Sequence, residues 1–280
     1  MSLLDFQQVI EHSEQFAKRH LLLGNGFSIA CQPDIFTYGS LFDQADFSEA
    51  KHIPEVFHAI GTFDFERVIR LLEDASKIVS IYSDQVEQTA LQLSKDGQAL
   101  KSLLIRTIAN NHPAVPNEIS DRQFRSCRSF LSHFLGDENQ NGRVYSLNYD
   151  LLLYWALMHD EADDPIRIAA NDGFGREDDA EPEFVTWMGE SSARSQRVHY
   201  LHGALHLFDA GVDLQKYTWV NTGIPLLEQA QIAMEQGKFP LFVAEGESRQ
   251  KLKKIKHSAY LYHSYKSFSS QMEQRKDANA

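Results

Sequence analysis

Apolar residues recur at helical spacing at the start of the chain, where Leu3, Phe6, Val9, Ile10 and Phe16 share one stripe and predict an opening amphipathic helix. The period then changes. His20–Leu23 is a short apolar run that stops at Gly24-Asn25-Gly26, the pattern of a buried strand entering a glycine turn. Residues 63–109 return to helical spacing, with one stripe through Phe63, Phe65, Val68, Ile69, Leu71 and Leu72 and a second through Val86, Leu91, Leu93, Leu100, Leu103, Leu104 and Ile108. Pro113 and Pro116 interrupt it, and a further helix is predicted over Arg122–Leu135, so residues 63–135 read as a helical insertion. After a polar turn at Gly136–Gly142, Arg143–Leu147 reads as a strand that leads through Asn148-Tyr149-Asp150 into an apolar helix, Leu151–Met158. Residues 160–183 carry EADDP and REDDAEPE and read as a solvated acidic insertion. Val198–Leu201 is another short strand, ending at His202-Gly203. A helix over Leu226–Glu235, a strand over Pro240–Ala244 and a basic helix start over Arg249–His257 follow.

Short apolar runs that end in polar or glycine tripeptides and lead into helices imply an α/β fold. The expectation is one Rossmann-like domain over residues 1–280, with a mostly parallel sheet and helices on both faces. In such sheets ligands bind beyond the carboxyl ends of the strands. Three such ends therefore become candidates for chemistry.

Composition works mainly by exclusion. A hydrophobic fraction of 42% with 24% charged residues suits a folded globular chain. The net charge of −12 argues against adhesion of the whole surface to nucleic acid or anionic lipid. No run is long and apolar enough for a membrane helix, and the N-terminus lacks the positive region of a secretory signal, so the chain reads as cytoplasmic. Two cysteines, Cys31 and Cys127, are too few for a four-cysteine zinc site.

The first strand end is Gly24-Asn25-Gly26-Phe27-Ser28. Its glycines let backbone N–H groups approach a phosphate, although the third glycine of a dinucleotide fingerprint is missing and a plain strand–helix turn fits equally. The second is Asn148-Tyr149-Asp150, where an amide that both donates and accepts sits beside a carboxylate; helix capping explains the same residues. The third is His199-Tyr200-Leu201-His202-Gly203-Ala204-Leu205-His206. As one strand it would put His202 on the face of Tyr200 and Ala204, with Gly203 allowing a turn or a close ligand. An imidazole there suits general-base work, while a satisfied structural histidine is the commoner fate. No metal is expected, because no cysteine or acid accompanies these histidines at ligand spacing.

Taken in order, GNGFS, NYD after a strand and HG after a strand resemble the sirtuin-like superfamily. Thr62-Phe63-Asp64-Phe65-Glu66 resembles the aspartate–phenylalanine–glutamate helix start of its bacterial defence-type members. SLFDQ, NYDLLLYWALMHD, DGFG, YLHGALHLF and PLFVAEGES more closely resemble a bacterial branch catalogued as a domain of unknown function. The resemblance implies that Gly24, Asn25, Gly26, Phe27 and Ser28 line the phosphates and adjacent ribose of NAD. It implies that Asn148 and Asp150 hold the nicotinamide ribose and carboxamide, with Gly203 beside them, and that His202 is the base. Pro33-Asp34 resembles the proline–aspartate after the family's glycine turn, one residue closer and without the arginine that follows it, which makes Asp34 a cofactor-binding candidate.

The implied reaction breaks the nicotinamide–ribose bond with water, with NAD as substrate and no zinc. The alternative is a truncated relative that binds nucleotide without turnover. Relatives continue past the tyrosine-rich segment Tyr260–Phe268 into a further strand, where this chain has QMEQRKDANA; an uncovered sheet edge would invite self-association or a partner protein. A nucleic-acid role for Arg249, Lys251, Lys253, Lys254 and Lys256 is weaker, since such a run is usually one solvated helix face.

Overall fold

The computed structural model describes residues 3–273 other than 17, 33, 83–86, 137–141, 160–165, 176–183, 190–194, 211–212, 219–224, 237 and 244–247. The opening stripe forms α1 (Phe6–Ser13), started by a reciprocal cap in which Asp5 accepts from the Gln8 N–H and Gln8 accepts from that of Asp5. Strand β1 (His20–Leu23) ends at Gly24, and α2 (Asn25–Cys31) begins at the next residue. Helices α3 (Tyr38–Gln44) and α4 (Ile53–Ile60) lead to the long paired helices α5 (Phe65–Tyr82) and α6 (Glu87–Asn111). Phe63, Phe42, Phe57 and Phe65 close this region, with ring centroids 4.9–5.0 Å apart between successive members of that series.

The chain continues through α7 (Asp121–Leu135), β2 (Arg143–Ser146), α8 (Leu152–Met158), β3 (Phe174–Gly175), β4 (Phe184–Trp187), β5 (Val198–Tyr200), β6 (Gly203–Asp209) and β7 (Leu214–Tyr217). It ends with α9 (Leu226–Glu235), β8 (Pro240–Phe242), α10 (Ser248–His257) and α11 (Ala259–Glu273). Every residue from Leu151 to Leu157 is buried, so α8 runs through the core.

The architecture is mixed α/β, with two sheets. Strands β1, β2 and β5 form a parallel sheet in the order β1-β2-β5, and β3-β4-β7-β6-β8 form a second, antiparallel one. The expected mostly parallel sheet is therefore corrected to a parallel core of three strands. The reason lies in the connections: the link between Asp209 and Leu214 is too short for a parallel crossover, which needs a dozen or more residues, so β6 and β7 pair as a hairpin. Tyr145 and His199 stack on one face of the parallel sheet and meet α11 at Ser267 and Phe268, while α7 also packs on β2.

Of the stretch read as an acidic insertion, residues 160–165 and 176–183 lie outside the described residues. Residues 166–175 are tied to the core by Ala169 N donating to Leu135 O at 2.8 Å and by Val198 N donating to Asn171 O at 3.0 Å. The buried pair Lys216 and Asp172 lies at 2.5 Å in the same region. Among the described residues no helix is long and apolar enough to cross a membrane.

Candidate functional site

The register of the parallel sheet aligns Leu23, Ser146 and Tyr200, so Gly24, Leu147 and Leu201 leave the three strands at one edge. Leu147 N donates to Leu23 O at 2.9 Å and Leu201 N to Ser146 O at 2.8 Å, which carries the pairing one step further. Beyond these ends lies a cavity of about 260 Å³. Gly24, Asn25, Asn148, Tyr149, Asp150 and His202 line it, with Asp64 and Glu66 from the start of α5 opposite. Phe36, Leu41, Leu104 and Ile108 supply apolar wall.

A buried chain of hydrogen bonds braces this wall. Asn148 Nδ2 donates to Gly24 O at 3.0 Å and to Ser28 Oγ at 2.7 Å, and Ser28 Oγ donates to Asp150 Oδ2 at 2.5 Å. Asp150 Oδ1 accepts from Leu152 N at 2.9 Å, so this carboxylate also satisfies the first N–H of α8, although Leu151 rather than Asp150 is the helix N-cap. Burial pushes the Asp150 carboxyl above the usual carboxylate range, while the bonds from Ser28 and Leu152 oppose the rise. Ser28 is fully buried and reaches the cavity only through these partners.

Tyr149 organises the other side. Its hydroxyl lies 2.9 Å from Val243 O, 3.2 Å from Glu66 Oε1 and 3.5 Å from His202 Nδ1. A hydroxyl has one hydrogen to give, so this oxygen sits at a branch between a carbonyl, a carboxylate and an imidazole. Lys251 Nζ donates to Glu66 Oε2 at 3.3 Å. Burial raises the Glu66 pKa, and the Lys251 charge counters it. His202 is held down to about 4, mainly by burial and then by Lys251, and is therefore a neutral imidazole near pH 7.

The structure thus brings Gly24, Asn25, Asn148, Asp150 and His202 to one cavity, with Ser28 directly behind. Four candidates fall elsewhere. Gly26 and Phe27 line a different cavity on the other side of α2, because one helical turn carries successive residues to opposite faces. Asp34 is exposed on the loop after α2 and does not line the cavity. Gly203 is required by packing: its φ is +84°, and a Cβ there would lie 1.8 Å from Leu241 O on β8. The strand expected over Val198–Leu201 ends where the sequence reading places it: Leu201 and His202 form a turn, and Gly203 opens β6 in the other sheet.

Asn25 serves the loop as well as the cavity, donating from Nδ2 to Phe36 O at 2.8 Å. Tyr149 and Lys251 are not cavity candidates in the sequence reading. The middle position of NYD was the available signal for Tyr149; Lys251 sits within a basic run that reads as solvent-facing. Among the described residues no group of three His, Cys, Asp or Glu side chains is placed to hold a metal ion.

Fold and site together define a mixed α/β protein with a polar cavity at the carboxyl ends of a short parallel sheet. The chain belongs to the family described as domain of unknown function DUF4917, which matches residues 21–275. No curated protein gives a significant match.

Proposed function

We propose that the cavity binds the nicotinamide–ribose end of NAD and that the protein hydrolyses the bond between them, releasing nicotinamide and ADP-ribose. The observation that carries this reading is the convergence of Gly24, Asn148, Asp150 and His202 on one cavity that also holds Asp64 and Glu66. At about 260 Å³ it falls just below the roughly 300–1,000 Å³ of drug-sized sites, so it suits the reacting half of a dinucleotide rather than the whole.

In this reading the carbon–nitrogen bond breaks with its electron pair passing to the nicotinamide nitrogen. The ribose passes through an oxocarbenium-like state, favoured by the nearby Asp64 and Glu66 carboxylates. Water forms the new carbon–oxygen bond and loses a proton to the neutral His202 imidazole, which returns it to solvent. Tyr149 positions His202 through its hydroxyl. Both hydrogens of the Asn148 amide are already engaged with Gly24 and Ser28, which favours a second reading, nucleotide binding without turnover.

Incubation of the pure protein with NAD, with free nicotinamide followed by chromatography and binding by calorimetry, separates them. Nicotinamide release supports hydrolysis. Binding without release supports the second reading, and neither binding nor release removes both.

A further inference from the structure

The two cysteines lie 96 positions apart in sequence, yet their sulfurs are 3.0 Å apart, Cys31 at the end of α2 and Cys127 on α7. Both are free thiols. Neither belongs to the cavity proposed to bind NAD. Cys127 instead lines a second cavity, of about 670 Å³, whose apolar lining includes Leu23, Phe27, Ala30 and Phe130, and Cys31 is buried next to Cys127 without lining it. Cys31 is buried, whereas Cys127 is half-buried and faces this space.

We propose that Cys31 and Cys127 form a reversible disulfide on reaction with a hydroperoxide that enters this cavity, with Cys127 attacking and Cys31 resolving. The geometry asks for little movement, since closing from 3.0 Å to a bonded sulfur pair at about 2.05 Å needs a shift of about 1 Å. Gln123 Nε2, one turn before Cys127 on α7, already donates to Cys31 O at 2.9 Å and holds the two helices together at this point. The hydrogen bond from Cys31 lowers the Cys127 pKa and so favours its thiolate, the nucleophilic form. The same hydrogen bond, burial and the nearby Asp150 charge all raise that of Cys31, which keeps its proton until it resolves.

The chemistry balances in two steps. The Cys127 thiolate attacks the peroxide, a sulfur–oxygen bond forms, the oxygen–oxygen bond breaks, and the departing alkoxide or hydroxide takes the proton that Cys127 released. Cys31 then attacks the sulfenic sulfur, the sulfur–sulfur bond forms, and hydroxide leaves as water with the Cys31 proton. Two thiols are oxidised and one peroxide is reduced. The bridge ties α7 to α2, the helix that carries Ser28 and so braces the neighbouring site.

The test uses the reduced full-length chain, treated with hydrogen peroxide under native conditions, then quenched with N-ethylmaleimide and weighed intact. The expected product has lost two hydrogen atoms, takes up no maleimide, runs as the same species on a non-reducing gel, and regains both thiols with dithiothreitol. In C31S the reaction stops at a sulfenic acid that dimedone captures, and in C127S dimedone labelling is lost. Two maleimides still incorporated after excess peroxide would overturn the proposal, as would a reducible bridge between two chains. The wild-type measurement decides even where a variant fails to fold.

Discussion

The Ser28 hydroxyl meets the Asp150 carboxylate at 2.5 Å although 122 positions separate them in sequence. This bond joins α2, the helix after β1, to the turn after β2, and Asn148 closes the link by donating to both Gly24 O and Ser28 Oγ. Two strand ends are thereby held as one wall. Burial makes the link matter, because a buried carboxylate that loses a donor cannot recover it from water.

Replacing Ser28 by alanine should therefore lower stability by about 1–3 kcal/mol, the cost of leaving a buried polar partner unsatisfied. The Asp150 carboxyl should also rise further, since the Ser28 hydrogen bond does most to hold it down. Urea denaturation of the variant measures the first effect. A midpoint equal to wild type would show that the wall does not depend on this bond.

A second prediction concerns acid stability. His112 is wholly buried, with Nδ1 2.9 Å from Pro113 O and Nε2 accepting from Leu151 N at 3.0 Å. Both nitrogens are committed to the neutral ring, since a protonated Nε2 could not accept that hydrogen. Burial lowers the pKa from 6.5 to about 4. The unfolded chain therefore binds more protons than the folded one between these values, so stability is full above about pH 6.5 and declines as pH falls towards 4. The difference corresponds to about 3 kcal/mol at full extent. His112→Gln should flatten the slope of denaturation midpoint against pH in this window; an unchanged slope would assign the acid sensitivity to other groups.

The three parallel strands and most helices were legible because each apolar run is short, uniform and bounded by glycine or by a polar tripeptide. The antiparallel sheet was not. Strand β6 is buried on both faces from Gly203 to Phe208, so it lacks the alternation that marks a half-exposed strand. A turn at Leu201-His202 and the positive φ at Gly203 separate it from β5, and these are backbone properties rather than a hydrophobic pattern. The site was legible where a residue's own chemistry announces it, as with Asn148, Asp150 and His202. It was not where a role depends on a distant partner: Tyr149 reaches Val243 O across 94 positions, and Lys251 reaches Glu66 across 185. Lys251 shares its helix with lysines that point to solvent, and nothing in the run singles it out.

His202 and Asn148 should separate chemistry from support. The His202 ring lies 3.5 Å from the Tyr149 hydroxyl and stacks on the Tyr149 ring at 6.1 Å, while the 2.9 Å bond from Val243 N goes to the His202 backbone carbonyl, which alanine keeps, so His202→Ala should change the melting temperature little. If it is the base, nicotinamide release should fall by about 10²-fold or more. Asn148→Ala removes two buried hydrogen bonds and should lower stability as well as turnover, by about 1–3 kcal/mol. A His202→Ala protein that is stable and cleaves NAD at the wild-type rate would refute the base assignment.

Gly24 after β1 and Gly203 at the start of β6 should respond in opposite ways to the same added methyl group. Gly203 has a φ of +84° and no room, since the new Cβ would meet Leu241 O at 1.8 Å. Gly203→Ala must therefore strain the backbone and push β8 away from β6, and the expected loss is about 3 kcal/mol or more, seen as a large fall in melting temperature with or without nucleotide. Gly24 has a φ of −118°, open to any residue, and nothing lies within 4 Å of where its Cβ would stand. Gly24→Ala should fold with a loss of at most about 1 kcal/mol, from the poorer helix cap. Its Cβ would instead occupy space at the cavity wall, where a bound nucleotide approaches the backbone. Calorimetry should then show NAD affinity falling at least about tenfold, or about 1.4 kcal/mol. Unchanged affinity in a folded Gly24→Ala protein would move the nucleotide away from the first strand end and leave that turn a structural feature alone.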